Sequence, residues 1–339
     1  MKTPLRAAII GCGRIAGSFD KDPKRKYITT HAGAYSHIKK TELIAVCDED
    51  KNKLKEFGND WKVKRLYSDY KDMIKKENLD ILSICTWPAS HFEISKFAMD
   101  HGIKTIFCEK PITNKLNQAD ELVMLSKKNK VAFAVNHTRR WDAGHIKVRE
   151  FIKAGKLGKL SHVICYYTAG ISNTGTHLFD LLRFFLGNAE AVHASQTPIF
   201  GDKDLTLSGQ IWFKNEVLVT LVGLNVSNYL IFEIDFYGSN GRFRLTRSGF
   251  ESESWEVGPS PFFSGYKELL HSKLNLNLKK KTMMIDAIQE LIESAENHKT
   301  PACSAEDGMK ALELVCALKE SYKRNKKINL PLKNRNVGI

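Results

Sequence analysis

Four stretches of this 339-residue chain carry residues whose type and spacing can do chemistry. Gly11-Cys12-Gly13-Arg14-Ile15-Ala16 reads Gly-x-Gly-x-x-Ala and follows directly on an apolar, strand-like run at 5–10. In that setting Gly11 permits a tight turn, and Gly13 lets a pyrophosphate approach the backbone. Ala16 is small enough for the next helix to pack on the strand. A helix N-terminus at that point favours an anion, so Arg14 and Ile15 are expected among the cofactor contacts. The run 42–47 ends in Cys47-Asp48-Glu49-Asp50. A carboxylate at that strand tip can accept hydrogen bonds from the adenosine ribose hydroxyls and would repel a 2′-phosphate. No Arg directly follows Asp48, so NAD is preferred over NADP. The competing reading is that Asp48 only caps the helix after it. Asp48 lies 32 residues beyond Ala16, where about 20 is usual. An insertion of about a dozen residues, 19–30, accounts for the excess and reads as a surface loop near the phosphate end of the site.

Cys108-Glu109-Lys110-Pro111 stands at the end of another strand-like run, 104–108. Ligands of open α/β sheets bind beyond the C-terminal strand ends, which points Lys110 into a site. Gly175-Thr176-His177-Leu178-Phe179-Asp180 opens an apolar helix, with His177 and Asp180 on one face. A histidine alone in that position is more often structural than catalytic.

The elements that must hold these residues change character near the middle of the chain. Up to residue 136, short apolar runs (5–10, 42–47, 80–85, 104–108, 131–135) alternate with helical patterns such as 90–100 and 114–129, the latter with Thr113 as N-cap. This rhythm predicts a doubly wound parallel sheet, a Rossmann domain over 1–136. From 137 to 325 the pattern is a helix ending at Gly155, a strand at 160–167, a helix at 176–186, and then consecutive strands at 191–195, 209–213, 217–224, 229–236 and 242–246. Asn240-Gly241 is a hairpin signal. Helices near 282–297 and 304–324 follow. The expectation is an α+β domain with a large, mostly antiparallel open sheet, and a loose basic tail at 326–339.

Composition narrows the function classes. Hydrophobic residues make up 42% and charged residues 27%, which excludes wholesale disorder. No apolar run reaches the roughly 18 residues of a membrane span, and the N-terminal residues do not form a signal peptide, so a cytoplasmic protein without a membrane partner is expected. Seven cysteines, with no C-x-x-C pair, read as buried free thiols and not as a metal site. The formal charge is +14. Six basic residues and no acid lie in the last nineteen, and smaller clusters are Lys24-Arg25-Lys26 and Lys279-Lys280-Lys281. No nucleic-acid motif accompanies them, so the charge reads as a solvated surface or an attraction for an anionic ligand, not as a nucleic-acid interface.

The glycine loop, Thr86-Trp87-Pro88-Ala89-Ser90-His91, Glu109-Lys110-Pro111, Asn136-His137-Thr138-Arg139-Arg140-Trp141 and Gly175-Thr176-His177 occur in one order and spacing. Together they resemble the glucose–fructose oxidoreductase/inositol dehydrogenase/rhizopine catabolism (Gfo/Idh/MocA) family. The resemblance implies reversible hydride transfer between NAD(H) or NADP(H) and a sugar, cyclitol or related alcohol. It also implies an open sheet that often forms a homodimer or homotetramer interface. A proton acceptor must then sit beside the nicotinamide, because an alcohol carbon releases hydride only as its hydroxyl proton leaves. The resemblance gives that role to His177, lowered in pKa by a helix N-terminus. It makes Lys110 a donor to the same substrate oxygen, and has Glu109 orient the lysine or contact the cofactor. Thr86, Pro88 and His91 map beside the nicotinamide end, and Arg139 and Trp141 near nicotinamide and substrate. Many sugar and cyclitol dehydrogenases of the family carry Asp four residues before the histidine. Here that residue is Asn173, which can hydrogen-bond a hydroxyl but accepts no proton at neutral pH. With the basic surface, it favours an anionic substrate such as a nucleotide sugar or uronic acid. Competing readings are a dinucleotide-sensing regulator without catalysis and a reductase of a non-sugar carbonyl or imine.

Overall fold

The computed structural model describes residues 4–274, 276, 278 and 282–339. Lys279-Lys280-Lys281 lies outside the described residues. Contacts divide the chain into two compact units. One comprises Met1–Asp142, Lys281–Lys310 and Asn336–Gly338, the other Ala143–Lys280, Ala311–Arg335 and Ile339. The units are thus discontinuous in sequence, unlike the division into 1–136, 137–325 and 326–339.

The first unit holds six parallel strands: β1 (Leu5–Ile10), β2 (Thr41–Cys47), β3 (Arg65–Tyr67), β4 (Ile81–Ile84), β5 (Thr105–Cys108) and β6 (Ala132–Val135), in the order β3-β2-β1-β4-β5-β6. Every residue of β4, β5 and β6 is buried, as a parallel sheet covered on both faces requires. The covering helices are α1 (His31–His37), α2 (Lys51–Trp61), α3 (Tyr70–Lys76), α4 (Pro88–Asp100) and α5 (Leu116–Lys128). Strand order reverses between β1 and β4, which opens the crevice where such folds bind ligands. Strand β3 is not legible in the sequence, since its three residues include no fully buried side chain. Thr113 does not cap α5: its hydroxyl donates to the Lys115 carbonyl at 2.7 Å, and Lys115 occupies the cap position.

In the second unit α6 (Ala143–Lys153), β7 (Leu160–Tyr167) and α7 (Thr176–Leu186) precede seven strands. These are β8 (Ala189–Phe200), β9 (Thr206–Phe213), β10 (Leu218–Gly223), β11 (Phe232–Gly238), β12 (Gly241–Thr246), β13 (Glu251–Pro259) and β14 (Lys267–His271). Helix α8 (Met283–Glu296) belongs to the first unit, and α9 (Ala305–Arg324) starts there and ends in the second. With β15 (Ile328–Asn329) the second sheet has nine strands, in the order β14-β13-β12-β11-β7-β10-β9-β8-β15. Only β7 and β10 pair in parallel. Alternate residues of β7, β10 and β12 are buried, so one sheet face forms the core and the other is half exposed. The Asn240-Gly241 signal lands on the β11–β12 hairpin, whose turn is Ser239-Asn240.

Two further expectations needed correction. The strand placed at 229–236 begins at Phe232, because Tyr229 and Leu230 are 54% and 68% exposed. The tail is not loose: β15 pairs with β8, the Leu332 amide donates to the Glu313 carboxylate, and Gly338 bridges to Lys115. Backbone pairing in the folded chain, not an apolar pattern, holds this segment. Strands β13 and β14 also escaped the sequence reading, since only Ser254 among their residues is fully buried.

Candidate active site

The glycine loop leaves β1 at the reversal of strand order. Gly11 has φ +93°, and a Cβ there would lie 2.7 Å from the backbone of Cys85, so only glycine fits. A Cβ on Gly13 would meet nothing within 4 Å, which leaves this backbone open to an approaching group. Asp48 reaches back from the tip of β2: its Oδ2 accepts from the Cys12 amide at 2.7 Å and its Oδ1 from the Asp50 amide at 2.9 Å. The cap of α2 is Asp50, which accepts from Asn52 and Lys53, so Asp48 is not that helix's cap. The room at Gly13 and the carboxylate beside the loop fit a dinucleotide's pyrophosphate and ribose.

The insertion has a definite splice point. Gly17 N donates to Gly13 O, which closes one helical turn. His31 N and Ala32 N then donate to the carbonyls of Ile15 and Ala16. His31 therefore takes the place that residue 19 would hold in an unbroken helix, and twelve residues are looped out. Without them Asp48 would follow Ala16 by 20 residues. Asp20 closes the excursion by accepting from the Thr29 amide and from the Thr29 and Thr30 hydroxyls. Thr30 in turn caps α1 at the Gly33 amide.

Glu109 and Lys110 follow β5, and the Glu109 amide still pairs with the Ile84 carbonyl. Glu109 Oε1 lies 3.0 Å from His31 Nε2 and accepts from Asn136 Nδ2 at 2.6 Å. His31 Nδ1 is 2.8 Å from the Ser83 hydroxyl, and Tyr35 reaches that hydroxyl at 2.7 Å. Burial is the largest influence on Glu109 and opposes its ionisation. The His31 and Asn136 contacts and the Lys110 charge outweigh it, so the carboxyl lies below its ordinary value. His31, Ser83 and Tyr35 had no sequence signal as site residues. The splice after Ala16 hides the helical register that places His31 under Glu109.

The Thr86 loop is built from main chain. Pro88 is the first residue of α4, and the Thr86 hydroxyl accepts from Ser90 at 2.7 Å. His91 is fully buried, with Nδ1 2.9 Å from the Pro111 carbonyl and Nε2 3.0 Å from the Thr86 carbonyl. It joins the two loops that follow β4 and β5. Burial pulls its pKa below the ordinary value, against the pull of those carbonyls. Trp141 is 5% exposed, packs edge-to-face on Phe107 and donates its indole N–H to Glu290 at 3.0 Å. That N–H is committed within the first unit. Arg139 is brought down to about 10 by burial, with Asp142 opposing, and stays charged at neutral pH.

In the second unit, a π-type turn over Gly170–Gly175 runs straight into α7. Helical winding therefore begins six residues before Thr176, and His177, half-buried, is not at an open helix N-terminus. The helix N-terminus expected beside His177 therefore lies earlier in the chain. Asp204 anchors the turn, accepting from the Ser172 amide at 2.9 Å and the Asn173 amide at 2.9 Å. Asn173 is exposed and Asp180 buried. All seven cysteines are buried and free. Among the described residues no His, Cys, Asp or Glu cluster suits a metal ion, and no helix is long and apolar enough to cross a membrane.

A six-stranded Rossmann sheet with this loop, joined in one chain to a large, mostly antiparallel sheet, defines a two-unit NAD-binding oxidoreductase. Residues 5–137 match the model of an oxidoreductase family with an NAD-binding Rossmann fold, and residues 170–330 match that family's C-terminal alpha/beta domain. The chain belongs to the Gfo/Idh/MocA oxidoreductase family. It is 24% identical to myo-inositol 2-dehydrogenase of Thermotoga maritima, over 96% of this chain and 98% of that protein. The crystal structure of myo-inositol 2-dehydrogenase from Lactobacillus plantarum superposes with a TM-score of 0.74 at 25% identity, covering 96% of this chain and 99% of the other. The WlbA dehydrogenase of Bordetella pertussis, solved with NADH and UDP-GlcNAcA, shares the fold with a TM-score of 0.78 at 19% identity, over 98% and 100% of the two chains.

Proposed function

We propose that the protein transfers hydride between NAD(H) and a hydroxyl-bearing carbon of a sugar, nucleotide sugar or related polyol. The observation that carries this reading is the glycine loop, open at Gly13 and tied at Cys12 to the Asp48 carboxylate. The bound nicotinamide ring supplies the hydride acceptor or donor. Lys110 donates a hydrogen bond to the substrate oxygen and stabilises its alkoxide character. His177 takes the hydroxyl proton in oxidation and returns it in reduction. Glu109, held ionised from beneath by His31 and Asn136, orients the lysine. Thr86 and Pro88 line the nicotinamide end, Arg139 contributes charge near the substrate, and Asn173 offers a hydrogen bond to a substrate hydroxyl. The net charge of +14 favours an anionic sugar derivative. The half-exposed face of the second sheet serves a homodimer or homotetramer.

The test is a panel of sugars, cyclitols, uronic acids and nucleotide sugars with NAD and NADP, read as reduced cofactor formed, beside calorimetric titration of NADH and NADPH. Turnover with one substrate group and tighter binding of NADH are expected. NADH binding without turnover on any substrate would favour the sensing regulator, and equal affinities would remove the role of Asp48.

A further inference from the structure

The looped-out segment starts one helical turn after the glycine loop, and its contacts give it a role the sequence left open. Phe19, its first aromatic residue, is in cation–π contact with two guanidiniums: Arg14 Cζ is 4.5 Å and Arg25 Cζ 3.8 Å from the ring centroid. Arg14 belongs to the glycine loop itself and directly follows Gly13, whose backbone is open. Arg25 comes from the far side of the excursion, and its Nη1 also reaches the Thr29 hydroxyl at 3.3 Å. The Asp20 contacts to Thr29 and Thr30, and the Lys21 ion pairs with Glu56 and Asp60 on α2, hold the excursion in this shape. One ring thus gathers two like charges that repel each other, at a place built to face an anion. Guanidiniums offer paired donors that match phosphate oxygens, and a bridging anion removes their repulsion.

We propose that the excursion is a phosphate clamp, in which Phe19 holds Arg14 and Arg25 against the pyrophosphate of the bound dinucleotide. The proposal rests on the NAD-binding reading above. Asp22, 3.8 Å from Arg25 Nε, holds that guanidinium until the phosphate competes for it.

The experiment is calorimetric titration of the full chain and of Arg25→Gln and Phe19→Leu with NADH and with ADP-ribose, at low and at physiological salt. ADP-ribose carries the pyrophosphate without the nicotinamide. Arg25→Gln should weaken both ligands by the same factor, about threefold to tenfold at low salt. The loss should shrink as salt screens the charge. Phe19→Leu keeps apolar bulk but loses the cation–π platform, and should show part of the loss. Unchanged Kd values in both variants, with wild-type binding intact, overturn the clamp while the NAD reading stands. Failure of the wild type itself to bind NADH sinks both. Circular dichroism melts confirm that the variants are folded.

Discussion

The two units hold their candidate chemical residues in different ways. In the first, Glu109 is gripped from beneath by a buried chain, Tyr35–Ser83–His31, and by Asn136, while His91 binds the loops after β4 and β5 together. These contacts sit at the ends of strands buried on both faces. In the second, Asn173 lies on a π-type turn whose exposed end is anchored by the Asp204 carboxylate, and His177 follows in the first turn of α7. The contrast teaches a division of labour. The side proposed to hold the cofactor, around Glu109 and His91, is fixed by packing and by several buried hydrogen bonds. In the second, the side proposed to meet the substrate, Asp204 takes up the Ser172 and Asn173 amides at the exposed end of the turn.

The sharpest way to break this comparison is to remove the chemistry and leave the scaffold. His177→Asn should lower turnover by roughly 10²–10⁴ through loss of the proton acceptor, and Lys110→Met by about 10²–10³ through loss of the donor. Steady-state kinetics with NADH titrations should find cofactor affinity preserved in both. Near-normal turnover in His177→Asn would leave that histidine a structural residue.

Gly11→Ala tests how rigid the cofactor side is. The residue's positive φ and the 2.7 Å approach to Cys85 predict a loss of about 1–3 kcal/mol in stability, together with weakened NADH binding. Denaturant melts and calorimetry would read both, and a neutral substitution would show that the loop can move. Asp204→Ala tests the other side. Leaving the Ser172 and Asn173 amides without their acceptor should cost about 1–2 kcal/mol. It should raise the KM for substrate and leave the NADH Kd alone. An equal loss of cofactor affinity would erase the proposed division.

The smallest effect is in pH. His91 has its folded pKa below the ordinary 6.5, so the unfolded chain binds the extra proton first. Stability should be full above 6.5, fall as the pH drops from there towards the folded value, and level off below it. Glu109, also lowered, adds a second loss at more acid pH, as its carboxyl protonates below 4.5. Urea melts between neutral and acid pH on wild type and His91→Asn should show the first slope vanish in the variant.

Much of this was already legible in the residues. The Gly-x-Gly-x-x-Ala loop, the apolar strands β1, β2, β4, β5 and β6, and the alternating strands of the second sheet follow from local rules: a turn that only glycine fits, and burial on both faces or on one. The twelve-residue excess was visible as a spacing anomaly, because Asp48 stood too far from Ala16. The folded structure decided matters that depend on distant partners. The splice between Ala16 and His31 exists only as backbone hydrogen bonds across the excursion. The same is true of His31 under Glu109, of Asp204 at the π-type turn, and of a polar C-terminal segment held by β8 and Lys115. A sequence pattern records which face a residue buries, but not which remote group it meets there. That pairing is set when the chain closes on itself and each buried polar group must find its partner.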